Sequence, residues 1–407
     1  MRITISIWFK ELFVKAVNSI AFYPVIIIGL YILLSLVSIS YDFSIEGEQL
    51  KSQLRWLKLK DASTARDIVT VVATGIISLT VFSFSMVMIV LNQAASNLSN
   101  RVLDKLITSR FQQIVLGAYV GTIVYSFILL STIRNRDEAL EIPSLSTYLL
   151  ILLTILDIFL FIYFLHYITQ SVRYEYIIQR IYKQTQKSLK RTCNMPHELS
   201  ESMDGIDVIT ADEYGIYKGF RKDVLLNICN KNDCIISINP TRGTFVIKGM
   251  PIIKVNKVLS STVKKEIMNA VYIYPHETIE ENYFYGFRQL CEVAVKALSP
   301  GINDPGTAIA SLRMLFQLLS YRACYFPINI IKDKEMQTRI ITEELTYEKI
   351  FTLTVLPIWD YGKNDRLLQH EMYSLLTQLQ TLTPNVMSEK LLKEVKVAID
   401  NIKPETK

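Results

Sequence analysis

The residue in this chain best placed to do chemistry is Asp157, which falls near the middle of the apolar run STYLLILLTILDIFLFIYFLHYI over 146–168. A lone carboxylate at that depth in a bilayer is expensive unless it is paired, protonated or in contact with water, so it must face protein or a wet cavity. Thr154, one turn earlier, is the local hydrogen-bond candidate, and no Lys or Arg lies at similar depth in any apolar run of the sequence. Two readings follow: a proton or cation site, or a buried acid bonded to a neighbouring helix. His166 lies nine residues on, about 900° of helical rotation and so roughly the opposite face. It is not a direct partner of Asp157, and its place between Tyr163 and Tyr167 reads as interfacial.

Three further patterns have chemical content. Thr70, Thr74 and Ser78 recur at i, i+4 and i+8 and share one helical stripe, which either glues helices together or lines a polar path. Gly117 and Gly121 form a GxxxG in GAYVG, a motif of close helix contact within one protomer or between protomers. In ALSPGINDPGTA, Gly301 breaks a helix, Asp304 is set to accept from the amides of the next first turn, and Pro305 suits a first helical position. Ser299, Pro300 and Asn303 complete this loop, which reads as a structural cap with a ligand-holding helix start as the alternative.

The usual enzymatic constellations are missing from the sequence. His166, His197, His276 and His370 are dispersed, and no Walker A loop, HExxH, GxSxG or dinucleotide fingerprint occurs. Cys193, Cys229, Cys234, Cys291 and Cys324 form no CxxC pair, which predicts reduced thiols and neither a disulfide framework nor a metal site. The run GTFVIKGMPII is similar to part of biotinyl and lipoyl carrier domains but lacks a lysine in a Met-Lys hairpin, so no cofactor is expected. The chain is expected not to be an enzyme.

The elements that would position these residues follow from composition. Half of the 407 residues are hydrophobic, too many for an ordinary soluble protein. Four spans are expected, at 22–40, 68–92, 113–133 and 146–168, each near the length that crosses about 30 Å of hydrocarbon. The fold class is therefore an α-helical integral membrane protein with four transmembrane helices, followed by a cytosolic α+β domain. Residues 1–21 read as an interfacial amphipathic helix, 169–202 as a basic exit helix and linker, 203–257 as a small β-containing unit, and 258–407 as a mainly helical part carrying the ALSPGINDP loop. In the 203–257 unit, strands are expected at IDVIT, GIYKG, CIISI and within TFVIKGMPIIKV, with a helix over 222–229.

Charge supports this division. The first 191 residues hold 19 Lys+Arg against 12 Asp+Glu, so the basic excess sits with the membrane half, where it fits anionic headgroups better than nucleic acid. The N-terminal segment, the second loop and the exit run carry 12 basic residues, against seven in the first and third loops, which predicts both termini in the cytoplasm. Arg101, with Lys105 and Arg110, would then face headgroups.

The string GFRQLCEVAVKALSPGINDPGTAI at 286–309 resembles the signature of a family of bacterial predicted membrane proteins defined by domain of unknown function 2254. VFSFSMVMIVLNQAASNLSNRVL, LHYITQSV and RGTFVIKGMPI extend the resemblance over nearly the whole chain. After the second span the family pattern has Ser-Pro-Arg, and this chain has Ser99-Asn100-Arg101, which keeps the arginine and loses the proline. The resemblance implies a four-span inner-membrane protein with a cytosolic C-terminal domain, and it implies no activity. The residues themselves favour an oligomeric pore or transporter gated by that domain. The alternative is a membrane-anchored sensor or scaffold whose domain binds a small molecule or protein.

Overall fold

A computed structural model describes residues 19, 21–53, 59, 61–97, 110–133, 142–171, 173–197, 201, 203 and 205–401. The expected amphipathic helix at 1–21 lies almost entirely outside these residues, and Arg101 lies outside them too. The chain divides into two units, Met1–Arg173 and Tyr174–Lys407.

The first unit contains α1 (Phe22–Asp42), α2 (Ile45–Gln53), α3 (Ala62–Asn97), α4 (Arg110–Thr132) and α5 (Ser144–Ser171). All but α2 are long and apolar enough to cross a membrane. The second span, α3, starts at Ala62, earlier than the apolar run alone suggests, because Asp61 caps it: its carboxylate accepts from the Thr64 amide at 2.6 Å. α4 is central, packing against α1, α3 and α5. Its small residues Gly117, Ala118, Gly121, Thr122 and Ser126 are buried and let neighbours come close. The GxxxG pair acts within the protomer. A Cβ on Gly117 would fall 2.8 Å from Ile27 Cδ1, and one on Gly121 would fall 2.6 Å from Tyr31 Cγ. Two apolar clusters occupy the two ends of the bundle. One gathers Ala65, Val69, Tyr125, Leu129 and Leu150; the other gathers Ile76, Val115, Tyr119, Phe164 and Ile168.

The second unit begins with α6 (Tyr174–Thr192), which the sequence presents as a basic exit helix and linker. In the structure it is a packed helix of the second unit, because its apolar side recurs at helical spacing. Ile177, Ile178, Ile181, Thr185 and Leu189 are buried, and the helix packs on α9 (Tyr283–Ala297) and α10 (Pro305–Cys324). Gly286 marks the crossing, since a Cβ there would sit 1.8 Å from Thr185 Oγ1. Part of the expected linker is a strand, β1 (Cys193–Met195), paired with β8 (Phe326–Pro327).

The β-rich part comprises β2 (Asp207–Thr210), β3 (Gly215–Phe220), α7 (Lys222–Asn232), β4 (Ile236–Ile238), β5 (Phe245–Val246), β6 (Pro251–Val255), α8 (Ser261–Met268) and β7 (Val271–Tyr274). It does not close at residue 257. β9 (Ile330–Lys332) and β10 (Thr338–Thr342) complete a five-stranded sheet of order β2-β6-β4-β10-β9, in which only β4 and β10 run parallel. β5, β3 and β7 form a second, antiparallel sheet. Leu225, Cys229, Ile236, Ile253, Ile267 and Ile340 share one core under these strands. The helical remainder adds α11 (Tyr347–Thr354), α12 (Leu356–Gly362), α13 (Arg366–Leu382) and α14 (Val386–Asn401).

Candidate functional site

Asp157 is 1% exposed and stands at the middle of the apolar stretch of α5. It lies in the layer between the two apolar clusters. The Thr122 hydroxyl of α4 stands within hydrogen-bonding reach, and the Tyr31 and Tyr119 side chains of α1 and α4 are close enough to feel its charge. Neither carboxylate oxygen completes a hydrogen bond of ordinary geometry with any described residue. The same holds for Thr122 Oγ1, Tyr119 Oη and Ser83 Oγ of α3. Four helices thus bring one acid and four hydroxyls together in a low-dielectric interior, where each unsatisfied group is costly. Such an arrangement can take up a proton or a small cation, which would supply the missing bonds.

The hydroxyl stripe does not belong to this site. Thr70, Thr74 and Ser78 are exposed on the outside of the bundle, and Ser78 Oγ is used locally, donating to the Thr74 carbonyl at 3.0 Å. The helical period explains the separation, because Val69, Ala73 and Ile76 carry the buried face of α3 and Ser83 falls on it. Asp157 and Thr74 therefore sit on different surfaces of the protomer, one buried and one exposed. Thr154 bonds back to the Leu150 carbonyl at 2.8 Å, and His166 is exposed beside Gln170 at 3.2 Å.

A second buried carboxylate escapes the sequence reading, where it counts only as a loop acid. Asp42, at the end of α1, is fully buried, pairs with Lys51 Nζ at 3.2 Å and accepts from the Ser146 amide at 2.7 Å. It thereby ties α1 and α2 to the first turn of α5, where the helix dipole favours a negative charge. Tyr125 reinforces the same corner through Ser38 at 2.7 Å and the Ser146 carbonyl at 3.2 Å.

In the second unit the ALSPGINDP loop is a cap. Asp304 accepts from the Thr307 amide at 3.1 Å and from the Thr307 hydroxyl at 2.6 Å, and Pro305 opens α10. The left-handed residue is Asn303 at φ 49°, whereas Gly301 has an ordinary φ and open space around it. Ser299 closes the turn by accepting at its carbonyl from the Ile302 and Asn303 amides, and Pro300 is exposed. The Asp304 carboxylate stands over the first turn that an anion would need.

Elsewhere in this unit, ion pairs fasten the sheet. Lys264 bonds Asp207 at 2.6 Å and holds that carboxyl down at about 2. Arg339 bridges Asp333 at 2.7 Å and Asp233 at 2.8 Å, lowering both carboxyls. Glu344 is raised by burial, against the pull of Arg242 and Arg322. All five cysteines are free, and among the described residues no group of His, Cys, Asp and Glu is arranged to hold a metal ion.

Comparison with known proteins agrees with this architecture. Uncharacterized proteins from two strains of Mycobacterium tuberculosis, CDC 1551 and H37Rv, are 22% identical to the chain over 338 and 335 residues respectively. A protein of the same description from Mycobacterium bovis is 22% identical over 335 residues. In each case the match spans 77% of this chain and 63% of the relative's length. No solved structure matches the chain. The family model described as predicted membrane protein, domain of unknown function 2254, matches residues 17–378, and the chain, with its four membrane-crossing helices and mixed C-terminal unit, belongs to that family.

Proposed function

We propose that the protein is a cation-handling transporter of the bacterial inner membrane, with Asp157 as the group that loads and releases a proton or small monovalent cation at mid-membrane. The observation that carries this reading is the pair of unsatisfied Asp157 oxygens at 1% exposure, ringed by Thr122, Tyr31 and Tyr119. Intramembrane acids without a structural partner mark ion or proton pathways. One carboxylate with neutral hydroxyls suits a single positive charge, whereas Ca²⁺ takes about six to eight oxygens, several of them carboxylates. The path runs within each protomer, and the Thr70, Thr74 and Ser78 stripe serves contact between protomers. The C-terminal unit lies in the cytoplasm, as do both termini, and acts as the gate. No catalytic step is assigned.

The test is flux in liposomes containing the full-length protein and a trapped pH dye, under an imposed potential. Proton or sodium-dependent flux that Asp157→Asn abolishes, with its melting temperature kept, supports the proposal. Flux unaltered by Asp157→Asn, or no flux with either cation, overturns it. The alternative is a membrane-anchored sensor, favoured by one observation: Glu344 and Arg242 line one small pocket, with Arg322 close enough to act on the same carboxylate, so a competing anion would find cations already in place. Titration of the full-length protein with nucleotides and inorganic phosphate, read as a melting shift lost in Arg242→Gln, tests that reading.

A further inference from the structure

A groove of about 280 Å³ opens on the membrane unit, with Ser83 and Val87 of α3, Gln113, Leu116 and Tyr119 of α4, and Phe164 of α5 among its lining. Packed interiors rarely leave a void larger than a water molecule, so a space of this size is a feature of shape. Its walls are apolar, as in ligand sites, with a few polar groups set among them. Those polar groups are poorly satisfied: Gln113 Oε1 has no hydrogen-bond partner among the described residues, Ser83 Oγ and Tyr119 Oη have only each other within reach, and all three residues are at most 6% exposed.

Depth identifies the occupant. α4 begins at Arg110, and Gln113 and Tyr119 lie three and nine residues further on, so the groove runs from about 4 Å to about 13 Å below Arg110 along the helix. That is the span from the glycerol level of one leaflet to near the bilayer centre, given a half-thickness of about 15 Å. Phe111, edge-on to Tyr163 and tilted against Tyr167 at centroid distances of 5.0 and 4.9 Å, is the aromatic belt expected at that level. One turn before Gln113 on α4, Arg110 is exposed and forms no ion pair among the described residues. An anionic head, an ester-level contact and a hydrocarbon tail would meet Arg110, Gln113 and Leu116 in that order.

We propose that this groove binds one acyl chain of an anionic phospholipid, with the phosphate held by Arg110 and the ester region by Gln113. The chain would lie against Tyr119, which also borders Asp157, so lipid occupancy would set the position of a ring at the ionisable site. Lipid binding itself does not rest on any activity of Asp157.

The experiment is native mass spectrometry of the full-length protein released from detergent, titrated with phosphatidylglycerol and, separately, phosphatidylethanolamine. One phosphatidylglycerol per protomer is expected to saturate at least tenfold more tightly than phosphatidylethanolamine. Leu116→Trp, which fills the groove, should abolish it, and Arg110→Gln should remove the preference between headgroups. Val81→Trp, on an exposed position outside the groove, should leave binding unchanged, as should Asp157→Asn. Equal retention in wild type and Leu116→Trp, or non-saturating uptake of both lipids, would show ordinary annular lipid and overturn the proposal. Should Leu116→Trp fail to fold, a phosphatidylglycerol with a photoreactive acyl chain serves on the unaltered protein. Labels confined to 80–88, 112–119 and Phe164 support the site, and labels scattered over all four spans overturn it.

Discussion

Asp42 and Asp157 are both buried carboxylates of the same four-helix bundle, at 0% and 1% exposure, and they have opposite surroundings. Asp42 lies at a helix end, where chain geometry supplies a lysine and the free amide of a first turn. Asp157 lies mid-helix, where every backbone amide is already used and only side chains from other helices can answer it. The first arrangement secures the fold, and the second leaves a group free to exchange its partner. Burial alone therefore says little about whether an acid is structural; whether a cation and a backbone amide answer it says more.

The largest effect should come from making Asp42 resemble Asp157. Lys51→Met removes the cation and leaves a buried charge uncompensated, which costs about 3 kcal/mol. A melt of the detergent-purified protein should show a clear loss, and Lys51→Met with Asp42→Asn should recover most of it. A single Lys51→Met variant melting like wild type would remove Asp42 from the structural side of the comparison. Gly121→Ala comes next, at about 2 kcal/mol, because its new Cβ would be driven into the Tyr31 ring at 2.6 Å, beside Asp157. The third change goes the other way. Asp157→Asn keeps the shape and removes the charge, so the melting midpoint should hold or rise slightly while flux disappears. A fall as large as that of Lys51→Met would mean that Asp157 also holds the bundle together.

How far the sequence foretells this differs between the units. The four spans are legible because length and hydropathy suffice to mark a membrane helix, and α4 shows its packing face through Gly117 and Gly121. The identity of Asp157's neighbours is not legible. Tyr31, Tyr119 and Thr122 are single residues in long apolar runs, and nothing in their spacing says which helices will meet. Asp42 is hidden differently, since an acid next to a loop looks solvated until its lysine, nine residues on, folds back over it. In the second unit β9 and β10 are obscured because Ile330–Lys332 and Thr338–Thr342 are short and flanked by charge, while β4, the other neighbour of β10, lies about a hundred residues earlier. The exit helix is legible from Arg180, Lys183, Lys187 and Lys190, but where it packs is decided by the buried isoleucines between them.

The smallest effect on a single protomer, and the last way to sharpen the contrast, concerns the outer stripe. Thr74 is exposed and its hydroxyl supports nothing in the bundle beyond its own helix, so Thr74→Leu should change protomer stability by less than about 0.5 kcal/mol. If the stripe is where protomers meet, the same change should shift the oligomer distribution measured by crosslinking in membranes, because a bulky side chain keeps two backbones apart. Flux per protomer should then stay as it was, since Asp157 and its hydroxyls lie inside a single bundle. Flux that falls in proportion to the lost oligomers would place the path between protomers, and the interior acid would have to be read, like Asp42, as part of the scaffold.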